Sequence, residues 1–120
     1  MKSLGICLGA STVSVAQVET EDACQTTDRS VSNGQPRLID FTVRAHDGNP
    51  KKTLITALED LDLSTFDRIA ATGRKFRKMV RLTSIPEPQA VEHAYRFIKP
   101  PNIRCPAIVS AGGETFMAYV

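Results

Sequence analysis

Two apolar segments only three residues apart constrain this chain more than any other feature. Lys2 to Leu8 is a mostly apolar run closed by Gly9. Thr12 to Glu19 then alternates, with Val13, Val15 and Val18 set among Ser14, Gln17 and Glu19. The link Gly9-Ala10-Ser11 is short enough only to reverse the chain, so the two segments read as an antiparallel hairpin. The slip in phase at Ala16 reads as a bulge. Arg37 to Ala45 forms a further strand, with Ile39, Phe41 and Val43 on one face, and His46-Asp47-Gly48 turns the chain. Between these strands, residues 20–36 are polar except for Ala23, Cys24 and Val31, and read as a long mobile loop.

The period then changes. Asn49-Pro50 supplies a capping residue and a first-position proline, and Leu54, Ile55, Leu58 and Leu61 follow at helical spacing. Phe66 to Ala71 reads as a short strand ending at Thr72-Gly73. Ser84-Ile85-Pro86-Glu87 opens a second helix with Val91, Ala94, Tyr95 and Ile98 on its inner face, stopped by Pro100-Pro101. Residues 105–110 form a strand entering Ala111-Gly112-Gly113-Glu114, and Thr115 to Val120 restarts one. The order β-β-β-α-β-α-β predicts an α/β fold, a mixed sheet with helices packed on it. The apolar run at Val120 predicts that residues 1–120 are the front part of a longer chain.

Composition narrows the function. The 120 residues hold 15 Lys and Arg against 13 Asp and Glu, a net charge of +2. That balance argues against nucleic acid as a partner. No apolar run nears the roughly 20 residues needed to span a bilayer, and the N-terminus lacks a secretory pattern. Cys7, Cys24 and Cys105 are odd in number and form no Cys-x-x-Cys, which points to a reducing, cytoplasmic setting.

Two loops have the composition for anion binding: Gly9-Ala10-Ser11-Thr12, and Gly112-Gly113-Glu114 after Ser110. Small residues let backbone N–H groups approach an anion, and hydroxyls add donors. Such loops at the ends of neighbouring strands grip a polyphosphate, or they are two ordinary tight turns; spacing alone leaves both open. Neither is a Walker motif.

The stretch Leu4 to Ala16 resembles the first phosphate loop of the actin, sugar-kinase and heat-shock-chaperone ATPase superfamily, typically Gly-Ile-Asp-Ile-Gly-Ser-Thr-Thr-Thr-Lys. Within that superfamily three later segments are similar to the BadF/BadG/BcrA/BcrD ATPases, which include activators of 2-hydroxyacyl-CoA dehydratases and benzoyl-CoA reductases. Ala70-Ala71-Thr72-Gly73-Arg74 resembles their strand-end Ala-Thr-Gly. Pro88 to Ala94 resembles their Thr-Glu-Ile-x-x-His-Ala helix, and Ile108 to Thr115 their Ile-Asp-Ile-Gly-Gly-Gln-Asp segment. The resemblance implies a ribonuclease-H-like lobe, ATP or ADP with Mg²⁺ as ligand, a second lobe closing over the nucleotide, and a CoA-dependent dehydratase or reductase as partner. It carries no iron–sulfur ligands onto Cys7, Cys24 or Cys105, because the family's cluster cysteines lie in a later segment. The departures matter as much. The family's loop Asp is Cys7 here, its second Asp is Ser110, and a nearby Lys is Ser14. Magnesium prefers carboxylate and water oxygens, so the resemblance implies a lobe that binds phosphate and does not hydrolyse it. A module that kept the fold and lost the nucleotide is the alternative.

Arg74 to Arg81 holds five cations and no acid, with Phe76, Met79 and Val80 at helical spacing. Arg74, Lys75, Arg77 and Lys78 form either an anion patch or a solvated helix face. His93 reads as a helix-packing residue, Cys7 as a small buried hydrophobe, and no metal-ligand spacing occurs. Glu114 is the one carboxylate in a glycine loop. A lobe cut from its partner exposes apolar surface, which predicts a homodimer.

Overall fold

The computed structural model describes residues 1–20, 36–73, 77–98, 107–112 and 116–119. Its strands are β1 (Lys2–Leu8), β2 (Thr12–Glu19), β3 (Arg37–Ala45), β4 (Arg68–Thr72), β5 (Thr83–Ser84), β6 (Ile108–Ala111) and β7 (Phe116–Tyr119). Its helices are α1 (Pro50–Leu58) and α2 (Glu87–Ile98), with single 3₁₀ turns at Leu63–Thr65 and Arg77–Met79. Five strands form a mixed sheet in the order β3-β2-β1-β4-β5. β1 runs antiparallel to β2 and parallel to β4, β3 is antiparallel to β2, and β5 is parallel to β4. β6 and β7 pair antiparallel as a separate two-stranded sheet.

α1 begins where the sequence places it: the Asn49 side chain accepts from the Lys52 N–H at 3.2 Å, and Pro50 occupies the first turn. Its Leu54 and Ala57 are buried against Leu4, Ile6, Leu8, Val13, Val15 and Ala71 on one face of the sheet. Ile55, grouped with the inner-face residues by spacing, is 51% exposed.

Three sequence expectations change. The β1–β2 register runs unbroken through Gly5↔Ala16, so β2 has no bulge at Ala16. The phase slip is a change of face: Val13 and Val15 enter the core, while Ala16 and Val18 line a cavity with the opposite face. The irregularity lies one strand over, where Gln17 pairs with Asp40 but Val18 pairs with Leu38, leaving Ile39 extra in β3. Secondly, every residue of β3 is exposed, because it is the edge strand and α1 packs over the middle of the sheet. Thirdly, α2 has no fully buried residue; Val91 and Tyr95 are half-buried, while Ala94 and Ile98 of its expected inner face are exposed.

Of the basic stretch, residues 77–79 form a 3₁₀ turn in place of the expected helix, and residues 74–76 lie outside the described residues. The expected loop 20–36 lies outside them too, apart from its two ends. Among the described residues no helix is long and apolar enough to cross a membrane.

Candidate functional site

The β1–β2 turn is closed by the Gly9 N–H donating to the Thr12 carbonyl at 2.9 Å. A Cβ on Gly9 would stand 3.1 Å from that carbonyl oxygen, which favours glycine there. Ala10 and Ser11 form the tip. Among the described residues, neither their amides nor the hydroxyls of Ser11 and Thr12 have a side-chain or cross-turn hydrogen-bond partner.

His46 holds this turn. Its N–H donates to the Ser11 carbonyl at 3.0 Å, and its Nε2 meets the Gly9 carbonyl at 3.3 Å. Nδ1 accepts the Gly48 N–H at 3.2 Å, which puts the ring proton on Nε2 as donor to Gly9. The His46 carbonyl accepts the Asn49 N–H at 2.7 Å. One residue, through its ring and its backbone, therefore ties the β1–β2 turn to the β3–α1 turn and to the α1 cap. It is 6% exposed, the one buried polar residue among those described. The sequence places His46 in a turn, and nothing local marks it as a clamp. Its partners lie 37 and 35 positions upstream and meet it only through the sheet register.

Gly73 brings β4 to the same end of the sheet. Its φ is +119°, and a Cβ there would lie 2.2 Å from the Leu8 carbonyl oxygen. Only glycine lets the two parallel strand ends approach this closely. The carboxyl ends of neighbouring parallel strands are where open α/β sheets bind ligands. Cys7 and Thr72 are register partners at this end.

Opposite α1, the sheet has a cavity of about 570 Å³. Its floor is small residues: Gly5, Cys7, Ser14, Ala16, Ala70 and Thr72. Ala90, His93 and Ala94 of α2 form the other wall, so His93 lines a cavity. Thr72 Oγ1 is buried here with no hydrogen-bond partner. Burial first, and then the charge of Glu87, push the Cys7 thiol above its ordinary 9.0. Cys7 is thus half-buried on the cavity side of the sheet rather than in the core.

These donors do not suit Mg²⁺. Magnesium prefers hard carboxylate and water oxygens, whereas Cys7 and Thr72 offer a thiol and a hydroxyl. Among the described residues, no three His, Cys, Asp or Glu side chains are grouped to hold a metal ion.

The second glycine loop is partly described. Ser110 is half-buried in β6 opposite Met117, and Gly112 is exposed; Gly113 and Glu114 lie outside the described residues. The β6–β7 hairpin faces α2 across a cavity of about 450 Å³ lined by Val91, Tyr95, Ile108 and Tyr119. No described residue of either glycine loop lines either cavity. Of the basic patch, Lys78 is exposed, Arg77 opens the 3₁₀ turn, and Arg74 and Lys75 lie outside the described residues.

No protein-family model matches the chain, and no curated protein matches it. Among solved structures, it is similar to the Aquifex aeolicus member of the Ppx/GppA protein family, with a TM-score of 0.58 and 13% identity. The likeness covers 97% of this chain and 45% of that one, so the chain spans less than half of that protein's length. The shared feature is the fold: a mixed α/β, ribonuclease-H-like architecture.

Proposed function

We propose that this ribonuclease-H-like chain is one lobe of a two-lobed, ATPase-like protein, binding a nucleotide phosphate at Gly9 to Thr12 without hydrolysing it. The observation that carries the reading is the pair of unengaged amides at Ala10 and Ser11, in a turn locked from behind by His46. Preoriented amides of this kind hold anions. Gly112, Gly113 and Glu114 are the second phosphate loop of this reading, as the sequence resemblance implies. The 45% coverage of the structural neighbour supports a missing lobe. Hydrolysis depends on charge that positions metal and water, and Cys7 and Ser110 bring none. The finer assignment, an activator of CoA-substrate enzymes, rests on the BadF-like segments from Ala70 to Thr115, and its cytoplasmic setting on the pattern of Cys7, Cys24 and Cys105.

Calorimetric titration with ATP or ADP and Mg²⁺ tests binding; saturable heat at millimolar nucleotide supports the reading, and its absence refutes it. The Cys7→Asp, Ser110→Asp double variant tests the loss of hydrolysis. It should gain ATPase activity over a native chain that has none. A native chain that already turns over ATP at the same rate refutes that part.

A second reading, a module that keeps the fold for interaction or regulation, is favoured by the apolar cavity and its unpartnered Thr72 hydroxyl. Full stability with no nucleotide heat would select it.

A further inference from the structure

β3 is a long, open edge. All nine of its residues are exposed, and nothing among the described residues pairs with its outer side. Such an edge is a template for another strand. Phe41 and Val43 are 55% and 52% exposed on the cavity face, opposite Ala16 and Ser14 of β2. Asp40, Thr42 and Arg44 alternate onto the α1 face, opposite Gln17, Val15 and Val13.

The hydrogen-bond phase of the edge follows from the ladder. His46 donates to Ser11, and antiparallel pairs alternate between bonded and non-bonded. Arg44, Thr42 and Asp40 therefore spend their backbone groups on β2. Phe41, Val43 and Ala45 turn theirs outward.

We infer that β3 pairs antiparallel with β3 of a second copy, about a two-fold axis at Thr42. This register sets Phe41 against Val43 of the second copy as a hydrogen-bonded pair, twice. It also sets Asp40 against Arg44 of the second copy, twice, at non-bonded positions where side chains come closest. Aromatic–β-branched and opposite-charge pairs are both favourable across strands. Asp40 already accepts from Gln17 Nε2 at 3.2 Å and keeps lone pairs for the arginine. Other registers lose the match. Moving the axis to Phe41 puts Asp40 against Thr42, and moving it to Val43 puts Asp40 against His46. The extra residue Ile39 ends the ladder on one side. The axis makes the contact self-complementary, so it closes at two copies and consumes both open edges. The interface stands whether or not the 9–12 turn binds phosphate.

Sedimentation of the 120-residue chain over a concentration series tests it. The native chain should reach dimer mass. Asp40→Arg, which sets two arginine pairs face to face, should weaken the dimer at least about tenfold. Asp40→Arg with Arg44→Asp should restore it, because the pairs re-form with signs exchanged. Both positions are exposed, and circular dichroism checks that each variant folds. As an independent readout, Thr42→Cys should cross-link to itself at the axis, where Cα atoms about 4.5 Å apart lie within disulfide range. The link is mapped by mass spectrometry of unreduced digests. A native chain that stays monomeric to high concentration overturns the interface. A double variant that stays dissociated, or links through Cys7, Cys24 or Cys105 with none at 42, overturns the register.

Discussion

Gly73→Ala is the most informative single substitution in this chain. Two costs meet at that residue. The first is backbone strain, because φ is +119°, a region that side chains avoid; such strain costs about 1–3 kcal/mol. The second is steric. The new methyl would lie 2.2 Å from the Leu8 carbonyl oxygen and 2.8 Å from its carbon. Both are backbone atoms of the central strand, so relief requires β4 to move away from β1. Forcing atoms into a packed core costs about 1–3 kcal/mol more, for a sum of about 4 kcal/mol. Native stabilities are about 5–15 kcal/mol, so a large fraction of the fold's stability is at stake.

Gly48→Ala separates the two costs. Its φ is +83°, yet a Cβ there meets nothing within 4 Å. It carries strain alone, about 1–2 kcal/mol, partly offset by a less flexible unfolded chain. Urea unfolding followed by circular dichroism gives the comparison. With a slope of about 1.5 kcal/mol/M, Gly73→Ala should lower the midpoint by more than about 2 M, and Gly48→Ala by under about 1 M. Equal shifts would refute the close approach of Gly73 to Leu8, and with it the joining of the two strand ends at the candidate site.

Two further outcomes follow from the same geometry. His46→Phe leaves the Gly9 carbonyl and the Gly48 N–H unpaired, which costs about 1–3 kcal/mol; the urea midpoint should fall, ATP heat should fall with it, and unchanged values for both would remove His46 as the clamp. For Cys7, the folded thiol titrates above its ordinary 9.0, so the unfolded chain loses its proton first as pH rises. The contribution is full below pH 9 and declines through the folded value. Native protein should therefore lose more stability between neutral and alkaline pH than Cys7→Ser, and parallel pH profiles would contradict the burial of the thiol.

Much of the fold is legible locally. β1 and β2 follow from an apolar run and an alternating run three residues apart. α1 is announced by Asn49-Pro50 and confirmed by the Asn49 cap. β5 is missed because two residues carry no period. Which faces of β2 and β3 are covered is not legible for a different reason. Alternation says that residues share a side, but not whether anything covers that side. Phe41 and Val43 do lie together, on a face that α1 does not reach. At the candidate site the glycine turn is visible in composition, while the residue that holds it is not. His46 meets Gly9 only after three strands have paired.

Sequence by itself determined what depends on neighbours along the chain: strand and helix periods, the cap, the hairpin, and the absence of a carboxylate at Cys7 and Ser110. These are short-range matters of backbone preference and donor chemistry. Tertiary structure alone decided which sheet face is covered, that Gly73 must lack a side chain, that His46 clamps the turn, and that β3 is left as an open edge. Each arises where strands distant in sequence come into register, and register is a property of the assembled sheet.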